Sequence, residues 1–521
     1  MPSSSGTNSP RSRAAVPRKL LPGLFLPFLA ACAVQGAVVG PGRAPAPTSP
    51  EAAVEPPAYA FLDVTAAEGI ILEPRRSWGS TWIDHDEDGD PDLLVNRHFL
   101  NPYYFEHEAT GYREADWQEV LRAPDFDRHA CLWGDPNSDG LPDLLCSQGA
   151  ERGNGGGPNQ LLLQNADGGF RREPGALGLA YSKGRSRTIN WVDFDRDGDL
   201  DLFDGTQYRK GFPNRMFRNR NGHFERVSVG LGQELETEVS AWADWDQDGD
   251  LDLLLTLKDA RAVAYENRRG NFHRVRLSRV TSSDWLGATF GDLNGDRWPD
   301  LHLISSGRSL ILRNNRGRFE PVHRMRTSQG RTGIWFDADN DTDQDLFVIQ
   351  GAPGNGDDPE AVDRTDVLLI QQNGRFKKQL VPQSSSESGN GDSVAVSDHD
   401  RDGTLDLFVT NGYKRTAGPF VLLENRSAVQ NWAAVRLDGG RGDPFGMWAE
   451  LKVRTPRKTF WRHLTDGLVF RSQSEIGYTH LGLGTADSAN VEVRWFRGGR
   501  DCVRVQAGQA LDLRKGSSPC N

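Results

Sequence analysis

Short runs of apolar or alternating apolar and polar residues, bounded by Gly, Pro, Asn and Asp, recur along almost the whole chain. Segments such as Thr81-Trp-Ile, Asn190-Trp-Val and Gly333-Ile-Trp-Phe lead into a polar loop. Asp92-Leu-Leu-Val, Asp201-Leu-Phe and Asp345-Leu-Phe-Val-Ile lead out of one. This periodicity and the β-branched and aromatic content predict strands, and no helical period is sustained anywhere. A second pattern follows most of these pairs: an apolar strand ending near Asn, a turn, and an aromatic residue opening another strand. Examples are Leu161 to Asn165 with Phe170, Met216 to Asn219 with Phe224, Ala264 to Asn267 with Phe272, Leu310 to Asn314 with Phe319, and Leu368 to Asn373 with Phe376. Each repeat, roughly 45 to 60 residues long, thus holds about four strands, the content of one propeller blade.

The loop between the first two strands is the same nonapeptide seven times over. Its oxygen-bearing positions 1, 3, 5 and 9 are Asp84, Asp86, Asp88 and Asp92; Asp135, Asn137, Asp139 and Asp143; Asp193, Asp195, Asp197 and Asp201; and Asp244, Asp246, Asp248 and Asp252. The last three loops carry Asp292, Asn294, Asp296 and Asp300; Asp337, Asp339, Asp341 and Asp345; and Asp398, Asp400, Asp402 and Asp406. Position 6 is Gly in all but the fifth and sixth loops, where Arg297 and Thr342 replace it. Alternate carboxylates around a tight bend deliver several hard oxygens to one point, as Ca²⁺ requires, so up to seven Ca²⁺ are expected. An EF-hand is excluded because position 12 is Val95, Cys146, Asp204, Leu255, Leu303, Val348 or Val409, never the bidentate Glu, and because strands flank the loops.

Seven blades predict an all-β, seven-bladed propeller. The seventh repeat has its third strand, Phe420 to Asn425, but no fourth, and Phe61-Leu-Asp-Val-Thr65 precedes the first loop without a blade of its own. Joining them closes the ring and leaves no open edge. The acidic loops then share one face. The other face collects the longer connections, Ser147 to Asn159, Tyr181 to Arg187, Gly205 to Arg215, Gly351 to Arg364 and Gln383 to Asp392, with the basic residues Arg185, Arg187, Arg209, Lys210, Lys258, Arg261, Arg308, Lys414 and Arg415. Loops borne on a rigid scaffold are where binding residues concentrate, so an anionic glycan or acidic protein segment is a candidate ligand there.

Composition agrees with many turns and strands: 57 Gly and 29 Pro against 4 Met in 521 residues. Thirty of the 72 acidic residues are Asp of the seven nonapeptides, so the remaining sequence is net basic, and seven Ca²⁺ would move the formal charge from −11 to +3. The first 32 residues read as a targeting segment: Arg11, Arg13, Arg18 and Lys19, an apolar run from Leu20 to Leu29, then Ala30-Ala31-Cys32. The run is too short and Pro-broken to span a bilayer. Leu29 to Cys32 resembles the bacterial lipobox, which implies a lipid on Cys32 and anchoring at the bacterial cell envelope, with 33–57 a Pro/Ala-rich tether; the alternative is an ordinary signal peptide and a secreted chain. Four cysteines remain in an exported chain, and the expected disulfides are Cys131–Cys146 and Cys502–Cys520. The propeller then covers 58–427 and a small β-domain 428–521.

The acidic loops resemble FG-GAP/VCBS repeats, from Phe61 to Asn425. The tail resembles the ASPIC/UnbV domain in Asn431-Trp432 with Val435 and Leu437, Gly446-Met-Trp-Ala449, Gly467 with Phe470-Arg-Ser-Gln473, His480-Leu-Gly-Leu-Gly484, and Val491-Glu-Val-Arg-Trp495 with Gly498. The tandem is similar to the cartilage acidic protein family and its bacterial relatives, which implies an exported, calcium-binding, adhesion-type protein. The sequence departs from the tail pattern at Trp448, in a usually small-residue stretch, and at Phe496, where Pro is expected. In the tail, Trp432, Trp448, Trp461 and Trp495 are expected to build the core.

No nucleophile elbow, HExxH helix or phosphate-binding Gly loop occurs in the right context, and no catalytic residue is assigned. His85 and His399, at position 2 of their loops, read as exposed fillers. The function expected is a monomeric, calcium-stabilised binding protein for an extracellular protein or glycan, without nucleic acid and touching a membrane only through its lipid. The alternative is a polysaccharide hydrolase or lyase, or an accessory to one, built on the same propeller.

Overall fold

The computed structural model describes residues 60–520 except 123–126, 150–157, 181–184, 208–212, 233–234, 278–279, 281–283, 328–329, 352–364, 373, 385–390, 413–416 and 428. The targeting segment, Cys32 and the tether lie outside the described residues, as do Arg209, Lys210, Lys414 and Arg415.

Seven antiparallel sheets repeat the order of four consecutive strands. Blade four is representative: Thr237–Ala243, Asp252–Leu257, Ala262–Asn267 and Phe272–Val275. The seventh sheet is completed as expected, with Phe61–Asp63 pairing antiparallel to Phe420–Asn425, Phe61 opposite Asn425. The first strand of each blade touches that of the next, and the seventh touches the first, so these strands line a closed ring. The first two strands of a blade are almost wholly buried, while the fourth is largely exposed as an outer edge, alternating most clearly in Arg318–Arg326 of blade five. Cys131 and Cys146 sit opposite each other on the first two strands of blade two and form a disulfide; Cys502 pairs with Cys520.

The recurring Asn at the end of the third strand has a specific task. In blade five the Asn314 amide nitrogen donates 2.8 Å to the Trp245 carbonyl, at position 2 of the acidic loop of blade four. Asn219, Asn267 and Asn425 reach the position-2 carbonyls of Pro136, Phe194 and Ala338 in the same way. Gln164 and Gln371 do so for His85 and Leu293. Six blades are thus tied to the loop of the blade before them. Removing such a side chain strands a buried carbonyl. Asn314→Ala is expected to lower the unfolding free energy by about 1–3 kcal/mol, read as a lower urea midpoint at unchanged slope in saturating Ca²⁺.

After blade seven come two small sheets. One places Asn431–Asp438 between antiparallel Tyr478–Gly484 and parallel Ala510–Arg514. The other runs Thr459–His463, Glu450–Arg454, Ser488–Arg494, Arg500–Gln506. Val435, Leu451, Phe460, Leu481, Val493 and Trp495 fill the space between. Of the four tail tryptophans, only Trp495 joins this core. Trp448 packs into the propeller core and its indole N–H donates 3.0 Å to the Trp191 carbonyl. Trp432 lies against Gly403 of the seventh acidic loop, where a Cβ would fall 1.7 Å from the indole. Trp461 lies under the guanidinium groups of Arg297 and Arg494, 5.3 and 4.6 Å from its ring. The expectation of a four-tryptophan core fails because three of these rings serve the junction with the propeller, to which amphipathic aromatics are suited.

Candidate functional site

All seven acidic loops share one backbone. The position-6 amide donates to the position-1 carboxylate in each, from Gly89, Gly140, Gly198, Gly249, Arg297, Thr342 and Gly403. Arg297 and Thr342 adopt φ of 80° and 81°, so the two loops that lack the glycine comply with the bend. A second left-handed residue stands at position 4 of every loop: Glu87, Ser138, Arg196, Gln247, Gly295, Asn340 and Arg401. Only the fifth loop marks that position with Gly, so the sequence conceals it.

The carboxylates at positions 1, 3 and 5 converge; oxygens of Asp84, Asp86 and Asp88 lie within 4.8 Å of one another. The Oδ1 atoms of Asp84, Asp193, Asp244 and Asp337 are buried and accept no hydrogen bond from any of the described residues. Burial first, with neighbouring loop carboxylates adding to it, pushes Asp84 and Asp244 up to about 7 and Asp337 up to about 8. A buried, unpaired oxygen among like charges is costly, and a hard dication relieves both penalties, so the residues fit Ca²⁺.

The position-9 carboxylates have a further part. Asp252 accepts the amides of Trp245 (3.3 Å) and Asn267 (2.9 Å), clamping its loop to the third strand. Asp201, Asp300, Asp345 and Asp406 repeat the pair. In loop two, position 2 is Pro136, which has no N–H, and there Asp143 Oδ2 is left without a donor. His85 and His399 are not exposed fillers: they are 4% and 1% exposed, because position 2 turns under the blade. The His85 ring bonds Asp92, and the Tyr104 hydroxyl lies 3.0 Å from its Nδ1.

The C-terminal domain is seated on this acidic face, which the sequence did not disclose. Arg462 reaches Asp337 of loop six at 3.2 Å and Lys458 bonds Asp343 of the same loop. Arg497 stands 3.7 Å from Asp193 of loop three, and His463 stands 3.9 Å from Asp292 of loop five. In the opposite sense Arg297 and Arg401, on loops five and seven, pair with Glu450 and Glu475 of the tail at 2.8 and 2.6 Å.

From that domain a hairpin, Leu468–Val469 and Ser472–Gln473, enters the ring and adds to the first strand of blade one, Gln473 opposite Thr81. The Gln473 side chain exchanges hydrogen bonds with both backbone groups of Trp133 in blade two. Ser472 accepts from the Ser80 amide, Ser474 from the Val396 amide, and Asp466 from Asn190. At the hairpin tip, Arg471 is fully buried, 3.0 Å from Asp392 and 3.7 Å above the Trp78 ring. Gly79, at φ +83°, makes room: a Cβ there would fall 2.2 Å from the Arg471 carbonyl. Beside the hairpin, against blades four to six, remains a cavity of about 440 Å³ lined by Trp242, Phe290, Trp335, Trp448 and His463 among others.

On the other face, most of the described basic residues are engaged. Arg187 is buried and bonds Gln207, Lys258 and Arg261 pair with Glu236 and Asp259, and Arg308 covers Trp285.

Residues 135–203, 244–303, 292–348 and 337–409 match the FG-GAP-like repeat. Cartilage acidic protein 1 of Mus musculus is 28% identical over 231 residues, 43% of this chain and 32% of that protein. Its Xenopus tropicalis counterpart is 34% identical over 257 residues, 48% and 37% of the two. These matches span about a third of the relatives' own length. A crystal structure of Saccharomyces cerevisiae Sqt1 aligns with a TM-score of 0.41 at 10% identity, over 86% of this chain and 97% of that one, too loosely to carry an argument.

Proposed function

We propose, from the premise that this chain is a relative of the cartilage acidic proteins built on FG-GAP-like repeats, that it is an exported, calcium-stabilised recognition module of adhesion type, held at the cell envelope by a lipid on Cys32. One observation carries the reading: the acidic loops are spent on holding the blades and seating the C-terminal domain, so the face away from them is left for a ligand. Connections borne on a scaffold braced by Ca²⁺ are an arrangement suited to an extracellular protein or glycan. The residues that would hold the ions are the seven sets of position 1, 3, 5 and 9 oxygens; Ca²⁺ would supply charge neutralisation, not chemistry.

Binding without turnover is the expected behaviour. The full mature chain, in millimolar Ca²⁺, is incubated with an array of anionic and neutral glycans and the retained sugars are analysed afterwards. Retention of intact sugar, weakened by Arg308→Ala and untouched by substitutions in 488–506, supports recognition on the open face. Release of shortened or unsaturated sugars would replace the reading with a propeller-based hydrolase or lyase.

A further inference from the structure

At the end of the ring away from the acidic loops, three side chains from two blades converge. His98 follows the second strand of blade one, Asp92–Arg97, and Asp127 and His129 open the first strand of blade two, Arg128–Gly134. His98 Nε2 lies 3.0 Å from Asp127 Oδ1, and His129 Nε2 lies 3.2 Å from Asp127 Oδ2. The Trp78 ring packs against both imidazoles, with centroids 4.6 and 4.5 Å away. The Gly149 backbone closes the back of the His129 ring, where a Cβ would stand 2.2 Å from Nε2.

The proton positions in this cluster are informative. His129 Nδ1 is 2.7 Å from the Ser186 carbonyl oxygen, which can only accept, so Nδ1 carries the proton. The ring is wholly buried, which favours its neutral form, and Nε2 then points a lone pair towards a carboxylate oxygen. Among the described residues neither His129 Nε2 nor Asp127 Oδ1 has a hydrogen-bond partner in line, and His98 Nδ1 is buried without one as well. A lone pair of His129 Nε2 facing the Asp127 carboxylate, with no donor in line for Oδ1, is an unfavourable arrangement that a cation standing among the three side chains would relieve. The three ligand atoms lie within 4.8 Å of one another. Two nitrogens and one carboxylate are the donor set of a borderline divalent metal, not of the oxygen-seeking Ca²⁺. The Nδ1–carbonyl bond of His129 is the outer-shell contact that fixes a metal-bound imidazole. Positive charge nearby is partly compensated: Arg471 is paired with Asp392 and lies 3.9 Å from Glu238.

We propose that His98, Asp127 and His129 form a binding site for one divalent transition metal of the Zn²⁺ class, separate from the acidic loops. Three protein ligands leave a fourth position, which water or an anionic group of a ligand can take. The site lies on the face that the proposed function leaves open, but it does not depend on that function.

Cobalt substitution tests it on the full mature chain in saturating Ca²⁺, which occupies oxygen sites. Four-coordinate Co²⁺ with imidazole ligands absorbs strongly in the visible, whereas six-coordinate Co²⁺ on oxygen absorbs weakly. One equivalent of strongly absorbing Co²⁺, bleached by one equivalent of Zn²⁺ and lost in His98→Gln and His129→Gln, is the expected result. His98 is the less buried ligand, so His98→Gln is the variant that keeps the fold, checked by an unchanged melting temperature in Ca²⁺. Absence of the strong band from the unsubstituted protein, or its survival in both variants, would overturn the assignment.

Discussion

Addition of millimolar Ca²⁺ to the chelated protein is expected to raise its melting temperature by roughly 7–10 °C. At a dissociation constant of about 10⁻⁴ M, each occupied loop adds about 1.4 kcal/mol in 1 mM Ca²⁺, and five to seven such loops add about 7–10 kcal/mol. The cause is visible in the loops. The buried Oδ1 atoms of Asp84, Asp193, Asp244 and Asp337 have no proton donor among the described residues, and the carboxylates around them repel one another. Two variants of blade four separate the ion's contribution from that of the loop itself. Asp246→Ala, at position 3, should remove one bound ion and leave the melting temperature in chelator unchanged. Asp252→Ala, at position 9, strands the amides of Trp245 and Asn267 and should lower it with or without Ca²⁺. An absence of bound Ca²⁺, or a melting temperature indifferent to it, would remove calcium from the account and leave the loops as clamps alone.

Arg471→Ala should be among the most damaging single substitutions, lowering stability by about 3–5 kcal/mol, because it leaves Asp392 charged and buried with no cation. Ser77, Gly79 and Thr410 donate to that carboxylate, so its geometry would persist while its charge went uncompensated. The stacking of the guanidinium on Trp78 is lost as well. Pairing Arg471→Met with Asp392→Asn removes both charges and keeps the bulk of the hairpin tip, so it should recover most of the loss. Urea titration in saturating Ca²⁺ reads both variants. Equal stability of Arg471→Ala and the unsubstituted protein would show that the hairpin tip contributes nothing to holding the ring.

What the sequence disclosed was local and periodic. Seven copies of one loop, and the missing outer strand of blade seven with its supply by Phe61, follow from spacing within or between repeats, where strand geometry leaves little choice; the two disulfides form as expected of an even count of cysteines in an exported chain. The recurring Asn was legible as a pattern but not as a tie, since its partner is a backbone carbonyl in the preceding blade. The seating of the tail was invisible for a similar reason. Trp448, Arg462 and Gln473 look like ordinary strand and turn residues, and each becomes informative only when the partner some 100 to 340 positions away is known. Burial of His85 and His399 could not be read from two charged neighbours in a loop, because position 2 points beneath the blade rather than along it.

The hairpin at 466–475 also governs the timing of assembly. The ring is shut by a strand near residue 61, and its bore is filled by residues emerging more than 400 positions later. A growing chain therefore carries several blades with unpaired amides at Ser80, Trp133 and Val396 until its final stretch is made. Such a chain is exposed to association between copies while it waits. Cutting at the apparent boundary near residue 427 would fix that vulnerable stage permanently: a fragment of seven sound blades around a wet, charged bore, soluble only as long as other molecules can be kept from it.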